Sequence, residues 1–216
     1  MKERKINIMS IFFSISGEIN MWPQGMPVIF IRFAGCNCRC TYCDTPDSID
    51  SKGTEMTVSQ ILSEVAKHPV NRVLITGGEP LLQPDGLGLL INKLVNTGYE
   101  VSVETNGSFR LFCGFQPDCW VVDIKMPGSG QHKKMISISE HLECSKNIIF
   151  KIPVQTQMDL ISAKKLLDEV EDIRDYLVAF SPVSPMTAPE LWEYMKKYGL
   201  TWCVLNSQLH KMIGLE

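Results

Sequence analysis

The sequence predicts an α/β fold, arranged as a partial (β/α) barrel of six or seven mostly parallel strands. Short runs rich in Val, Ile and Phe alternate with stretches of helical period, and polar or glycine-rich turns follow several of the runs. A length of 216 residues is enough for one substantial core, so we expect a single domain over residues 1–216. Alternating elements indicate parallel βαβ units, and an open doubly wound sheet is the competing arrangement.

The predicted strands are the apolar runs 28–33, 72–76, 100–104, 120–124, 148–154, 177–180 and 202–205. Helices are predicted at 57–66 and 87–95, and two further helices are expected to begin at Asp159 and at Thr187. The first helix opens on a capping box formed by Thr57 and Gln60, which fixes where it starts.

Composition indicates a globular protein with no electrostatic case for nucleic-acid binding. Hydrophobic residues make up 44% of the chain, charged residues 21%, and the formal net charge is −3. Basic residues followed by the apolar segment 6–15 superficially resemble a secretory signal, but no small-residue cleavage site follows. No apolar run approaches the roughly 18 residues of a membrane span. We therefore expect a cytoplasmic protein without a membrane or nucleic-acid partner.

The most informative segment is 36–43, which holds four of the eight cysteines. Cys36, Cys40 and Cys43 have the spacing C-x3-C-x2-C. A [4Fe–4S] cube normally takes four thiolates, so three clustered ligands would leave one iron open to a substrate or cofactor. The alternative is a structural zinc site closed by Cys38 as fourth ligand. The other cysteines are expected to be buried thiols rather than ligands of a second cluster: Cys113, Cys119, Cys144 and Cys203.

Three turns are predicted to share one site. The cysteine loop follows the strand 28–33, a Gly77-Gly78-Glu79-Pro80 turn follows the next strand, and a Thr-Asn-Gly turn at 105–107 follows the third. In barrels, chemistry collects on the loops after the carboxyl ends of the strands. Glycines permit a close backbone approach, and exposed carbonyls accept hydrogen bonds from an ammonium group.

With these motifs, the chain resembles the radical S-adenosylmethionine (SAM) enzymes, and among them the 7-carboxy-7-deazaguanine synthases. The narrower marks are the segments 32–37, Cys43-Asp44-Thr45, 104–107, 123–125 and 208–211, which are spread along the chain, so the resemblance extends over nearly all of it. The resemblance implies a partial barrel of the radical SAM type. It implies ring contraction of 6-carboxy-5,6,7,8-tetrahydropterin to 7-carboxy-7-deazaguanine with loss of ammonia. It also implies a [4Fe–4S] cluster, SAM and Mg²⁺ as cofactors, a one-electron donor such as flavodoxin or ferredoxin, and a homodimer.

The resemblance assigns roles residue by residue. The metal ligands are Cys36, Cys40 and Cys43 for the cluster and Thr45 for Mg²⁺. The residues with catalytic roles are Arg32, whose planar guanidinium suits a substrate carboxylate, Asp44 and His210. The SAM contacts are Tyr42, Gly77, Gly78, Glu79, Asp123, Ile124, Lys125, Ser181 and Ser184. The pterin contacts are Ile15, Ser16, Gly17, Arg32, Thr76 and Glu216.

Two segments depart from the family pattern, and two other functions remain open. Ser16-Gly17-Glu18-Ile19 stands where Gln-Gly-Glu-Gly is common, and Ser181-Pro182-Val183-Ser184 stands where Gln-Pro-Met-Asp is common. The alternatives are an activase that installs a glycyl radical in a partner protein, and a non-catalytic metal-binding module. The activase function would not call for Cys-Asp-Thr after the last ligand or for the tail 208–211.

Overall fold

The computed structural model describes residues 4–215 and contains one mixed sheet flanked by helices. The strands are β1 (Lys5–Ile15), β2 (Pro27–Phe33), β3 (Thr54–Thr57), β4 (Arg72–Gly77), β5 (Glu100–Thr105), β6 (Cys119–Asp123), β7 (Ile148–Val154), β8 (Leu177–Pro182) and β9 (Val204–Leu205). The α-helices are α1 (Val58–Val65), α2 (Pro84–Asn96), α3 (Ile138–Leu142), α4 (Gln157–Asp168), α5 (Ala188–Lys197) and α6 (Leu209–Ile213).

The sheet is mostly parallel and does not close on itself. The strand order is β3-β1-β2-β4-β5-β6-β7-β8-β9. From β2 onward each strand runs parallel to its neighbour, whereas β1 is antiparallel to both β2 and β3. The predicted α/β fold with a partial barrel is therefore confirmed.

The structure differs from the predicted elements mainly at the amino-terminal side. Residues 4–215 contain nine strands rather than six or seven, because the apolar segment that resembled a leader forms β1 and a short edge strand, β3, pairs with it. Helix α3, which was not predicted, begins with a capping box at Ser137. Helix α4 begins after Thr156, because the Thr156 hydroxyl accepts a hydrogen bond from the Asp159 N–H and makes Thr156 the cap. The capping boxes at Thr57 and Thr187 are confirmed.

The two faces of the sheet bury different surfaces. Alternate strand residues point outward beneath the helices and form the main core, which includes Ile31, Ile75, Val103, Val122, Phe150 and Phe180. All six are fully buried, and burial of apolar area contributes about 25 cal/mol per Å². The remaining strand residues point inward, to the concave face of the partial barrel.

The lower inner face, formed by the inward residues nearest the strands' amino ends, is filled by the β1–β2 connection. Trp22 packs on Val28 and Leu74, while Met21 and Ile19 pack against β6 and β7. The Trp22 indole N–H donates to Glu100 Oε2 at 2.6 Å. This connection therefore fills the lower part of the barrel.

The upper inner face consists of one inward residue from each of six central strands, at or near the carboxyl end of the strand. These residues are polar or charged, and all of them line open cavities: Arg32, Thr76, Glu104, Asp123, Lys151 and Ser181. Strand register places Arg32 beside Thr76 and Asp123 beside Lys151. The fold therefore gathers polar side chains from six strands around one opening.

One prediction about the cysteines is wrong. Cys113 and Cys144 form a disulfide, with Cα atoms 4.9 Å apart, instead of being buried thiols. The loop after β5 folds back onto the end of α3, where the Gln116 side chain donates to the Cys144 carbonyl at 3.0 Å. This approach joins residues 31 positions apart in sequence. Cys119 and Cys203 are buried free thiols, as predicted.

Candidate active site at the carboxyl ends of the strands

The cysteine loop leaves β2 and is fixed to the chain at both ends. The Cys36 N–H donates to the Ile49 carbonyl at 3.1 Å, and the Thr41 hydroxyl donates to the Gly128 carbonyl at 2.8 Å. Cys36, Cys40 and Cys43 are half-buried and line one cavity of about 170 Å³, which we call the cluster chamber. The structure thus brings together the three thiols that the spacing predicted.

The surroundings of Cys36 favour its thiolate, which is the form that binds metals. Its Sγ lies 3.4 Å from the Cys38 backbone N–H and 3.6 Å from the Asn106 amide nitrogen. Hydrogen bonds from Cys38, supported by the Asn106 amide, lower the pKa of Cys36 to about 6. Burial raises the pKa of Cys40 and of Cys43.

The distribution of the thiols fits a polynuclear cluster. Within residues 4–215, no three Cys, His, Asp or Glu side chains converge on a site for a single ion. A cube does not require such convergence, because each thiolate binds a different iron. Cys36, Cys40 and Cys43 along the wall of one cavity supply three such ligands.

The glycine turn after β4 packs directly on the start of the cysteine loop. A Cβ on Gly78 would lie 1.9 Å from the Gly35 carbonyl oxygen, and Gly77 has φ of 121°, a conformation that favours glycine. The Gly78 N–H donates to the Phe33 carbonyl at 2.9 Å. Both turn glycines line the cluster chamber. Their lack of a side chain is also needed for the close packing of the turn against the backbone at 32–35.

Glu79 supports the site from beneath and does not line it. Its side chain is fully buried and accepts hydrogen bonds from the Leu81 N–H at 2.9 Å, the Thr105 hydroxyl at 2.9 Å and the Asn106 N–H at 2.7 Å. Burial raises the pKa of Glu79 to about 7. The carboxylate thereby ties the glycine turn to the turn that presents Asn106 to Cys36.

Of the other predicted SAM contacts, some line the chamber and some do not. Tyr42, Asp123, Lys125 and Ser181 line it, and Lys125 Nζ lies 2.5 Å from Asp123 Oδ2. Burial opposes the charge of Lys125, but the Asp123 carboxylate raises its pKa. Ile124 faces the outer core with 2% exposure. Ser184 is exposed, and its carbonyl accepts from the Gln155 side chain at 3.0 Å.

A second cavity of about 80 Å³, the substrate chamber, adjoins the first. It is lined by six residues for which the sequence predicted a catalytic, metal-binding or substrate role: Gly17, Arg32, Asp44, Thr45, Thr76 and His210. The His210 ring lies so close to Gly17 that a Cβ there would meet Nδ1 at 2.1 Å. Ile15 and Ser16 lie outside both sets of lining residues, and Glu216 lies outside the described residues.

Asp44 and Thr45 lie where the two chambers meet, since both residues line both cavities. The Thr45 hydroxyl donates to Asp44 Oδ1 at 3.3 Å, and Lys211 Nζ lies 3.3 Å from Asp44 Oδ2. Burial would favour the neutral acid, but Lys211 and more distant lysines lower the pKa of Asp44. The junction therefore presents an ionised carboxylate beside a hydroxyl.

The sequence did not assign roles to several residues of the site. Glu18, Glu104 and Lys151 line the cavities, and Asn106 contacts Cys36. Glu104 occupies the same last inward strand position as Arg32, and Lys151 lies one inward position earlier on β7, before Pro153. Counting every second residue back from the carboxyl end of each predicted strand would have found Glu104 but not Lys151, because the predicted strand 148–154 ends on the outward-facing Val154.

Comparison with known proteins agrees with this geometry. The profile of the Radical SAM superfamily matches residues 30–111. A 7-carboxy-7-deazaguanine synthase from Clostridium acetobutylicum is 37% identical over 209 residues, covering 94% of this chain and 93% of that protein. Another from Methanospirillum hungatei is 35% identical, covering 97% of this chain and 86% of that protein. The chain belongs to the 7-carboxy-7-deazaguanine synthase family.

Solved structures support the same fold. The crystal structure of QueE from Escherichia coli superposes with a TM-score of 0.74 at 22% identity, covering 95% of each chain. Membership of the radical SAM superfamily implies a [4Fe–4S] cluster and SAM as cofactors. Among the helices of residues 4–215, none combines the length and apolar character needed to cross a membrane.

Proposed function

We propose that this chain converts 6-carboxy-5,6,7,8-tetrahydropterin into 7-carboxy-7-deazaguanine with loss of ammonia. The observation that carries the proposal is that the cluster chamber and the substrate chamber lie side by side and share the lining residues Asp44, Thr45 and Thr76. A cofactor held beside the thiols would lie next to a substrate held beneath Arg32. The names of relatives that align over almost the full chain support the same reaction.

The residues of the chain bind, orient and shield the reactants. When bound, the cluster and SAM supply the one-electron chemistry that starts the ring contraction. The Arg32 guanidinium suits the pterin carboxylate, and its position 4.7 Å from the centroid of the Phe12 ring restricts its orientation. Phe30 and Leu74 give the substrate chamber an apolar wall that excludes water.

We also propose that Thr45 binds Mg²⁺. Mg²⁺ retains several waters and readily takes substrate oxygens as ligands, so one protein hydroxyl can suffice. Support comes from the position of Thr45 in both cavities, next to the Asp44 carboxylate. His210, which lines the substrate chamber against Gly17, is proposed to contact the pterin.

Three further proposals concern the setting of the reaction. The electron donor is a small one-electron protein such as a flavodoxin or a ferredoxin, because radical SAM chemistry needs single electrons. The protein acts as a homodimer, which would cover large apolar side chains such as Phe13, 43% exposed, and Met212, 74% exposed. It works in the cytoplasm, where cluster thiols stay reduced.

Anaerobic reconstitution with iron and sulfide, followed by product mass analysis, tests the reaction. Incubation with SAM, dithionite and the carboxytetrahydropterin is expected to yield 7-carboxy-7-deazaguanine, with more product when Mg²⁺ is added. Omission of SAM should abolish the product. Cleavage of SAM without any deazaguanine would contradict the proposal and favour a different radical SAM substrate, such as the protein substrate of an activase.

A further inference from the structure

A buried lysine that the sequence motifs did not point to lies at the centre of the upper inner face. Lys151, on β7, is 8% exposed. Its Nζ lies 3.1 Å from Glu18 Oε2, 3.5 Å from Asp123 Oδ1 and 3.9 Å from Glu104 Oε2. The three carboxylates come from the β1–β2 connection, β6 and β5, so one ammonium group joins three separate parts of the fold.

On the cofactor side, Lys151 fixes Asp123. Asp123 Oδ1 is 3.5 Å from Lys151, while Oδ2 is 2.5 Å from Lys125. Asp123 and both lysines line the cluster chamber with the three thiols. With an ammonium group at each oxygen, the Asp123 carboxylate has little freedom to rotate.

On the substrate side, Lys151 fixes Glu104 and Glu18. Glu104 Oε2 also accepts a hydrogen bond from the Thr76 hydroxyl at 3.2 Å. Glu18 Oε1 accepts from the Gln208 side chain at 2.7 Å, two residues before His210. Glu18 and Glu104 line both chambers, so Lys151, which lines the cluster chamber, is paired with two carboxylates of the wall that the chambers share.

The charges of the side chains around Lys151 are nearly balanced only when Lys151 is present. Three carboxylates, Glu18, Glu104 and Asp123, face two ammonium groups, Lys125 and Lys151, for a net charge of −1. Without Lys151 the net charge would be −2 in a mostly buried site. Removing one partner of a buried ionic network leaves the other charges uncompensated, so the carboxylates would move apart or take up protons.

We propose that Lys151 is a positioning residue that couples the two chambers, because it holds cofactor-side Asp123 in register with substrate-side Glu104 and Glu18. The inference rests on the proposed function, which supplies the two ligands. Each chamber alone could still bind its ligand without Lys151, but the reacting groups would no longer be aligned. Radical transfer between two ligands depends on that alignment, and a displacement of about 1 Å can cost about a hundredfold in rate.

Lys151→Gln and Lys151→Met test the proposal through the ratio of released 5′-deoxyadenosine to deazaguanine product. We expect the ratio to rise by at least about tenfold, because cleavage of SAM continues while transfer to the substrate fails. A purely structural defect would lower both yields together and leave the ratio unchanged. The Gln side chain still donates hydrogen bonds to the carboxylates, so the Lys151→Gln variant provides the test if the Met variant does not fold. An unchanged ratio in a folded variant would overturn the proposal.

A binding measurement without turnover gives a second readout. In reconstituted, unreduced wild-type protein, saturating pterin should tighten SAM binding by about tenfold, as measured by calorimetry. In Lys151→Gln that factor should fall to about one, whereas equal factors in the two proteins would contradict the proposal. Lys164→Gln, which removes an exposed ion pair with Asp168 on α4, is the matched control and should change neither readout. A wild-type protein that makes no deazaguanine overturns the proposed function, and this inference with it.

Discussion

The lower and upper inner faces of the barrel are built from the same strands but do different things. On β4, Leu74 packs on Trp22 and gives the substrate chamber only an apolar wall, whereas Thr76, two residues later, brings a hydroxyl to both chambers. On β7, Ile149 packs against the β1–β2 connection, whereas Lys151 forms ion pairs with three carboxylates. Position along the strand therefore separates packing from chemistry, even though all of these residues share one face.

The two faces differ in the interactions that stabilise their side chains. The lower face is covered by Trp22 and its neighbours, so apolar contact suffices there. The upper face must keep space for ligands, and buried charges beside that space are costly unless they are paired. Lys125 and Lys151 provide that pairing for the carboxylates around them. Substitutions in the two halves should accordingly have separable effects on stability and on chemistry.

The largest effect is expected from a thiol of the cluster chamber, which the upper inner face also lines. Cys40→Ala should reduce cluster incorporation and lower SAM cleavage to the background level, because the cube loses one of three protein ligands. Iron analysis and detection of 5′-deoxyadenosine measure this. Cys119→Ala, which removes a buried thiol in the lower face, is the matched control and should keep iron content and cleavage. Retained SAM cleavage in the Cys40 variant would refute the ligand assignment.

A substitution in the lower face should damage stability instead. Trp22→Ala should lower the free energy of unfolding by about 3–5 kcal/mol, because it leaves a cavity and removes the hydrogen bond to Glu100. Urea denaturation measures the change. Trp192, 40% exposed on α5, is the control, and its replacement by Ala should cost less than about 1 kcal/mol. If Trp22→Ala left stability intact but abolished SAM cleavage, the separation between the two halves would be wrong.

The Mg²⁺ proposal predicts a smaller effect on turnover, from a substitution where the two chambers meet. Thr45→Ala should lower Mg²⁺-stimulated turnover by about 10- to 100-fold while leaving SAM binding unchanged. Chelation with EDTA should slow the wild type but barely affect the variant. Thr54→Ala, on the exposed edge strand β3, is the control. Equal stimulation of the Thr45 variant and the wild type by Mg²⁺ would argue against Thr45 as a ligand.

The smallest effect concerns acid sensitivity and arises outside both inner faces. His141 on α3 is fully buried, and burial lowers its pKa from 6.5 to about 4. Below pH 6.5 the unfolded chain binds a proton that the folded chain does not, so stability is complete above about pH 6.5 and is lost as the pH falls towards 4. By pH 5 the loss relative to neutral pH should reach about 2 kcal/mol.

Comparison of unfolding free energies across this pH range checks the assignment. His141→Leu should flatten the wild-type slope by that amount, whereas His132→Leu, at an exposed position, should leave the slope as it is. An unaltered slope in the His141 variant would show that other groups cause the acid sensitivity.

The sequence predicted the parts of the site that depend on local spacing. The three thiols, the glycine turn and Arg32 follow from motifs within one loop or at the end of one strand. The disulfide between Cys113 and Cys144 depends on a loop folding back across 31 residues, and no local pattern encodes that approach. Strand β1 was not predicted: its apolar run was compared only with a secretory signal, which was rejected, because such a run looks alike in both settings.

The roles of Lys151 and Glu104 were missed for a different reason. Each lies in a predicted strand, but only assembly of the sheet shows that their side chains meet Glu18 and Asp123. Glu18 comes from a connection with no regular structure, so strand periodicity could not place it. Networks that join distant segments become visible only when register and inward direction are known.

Electron paramagnetic resonance of the reconstituted, reduced protein, recorded with and without SAM, tests the central claim most directly. If three thiolates hold a [4Fe–4S] cube with one iron open, the cluster signal should be present and should change clearly when SAM binds that iron. A signal that SAM leaves unaltered, or a preparation whose metal is coordinated by four side chains, would contradict the account.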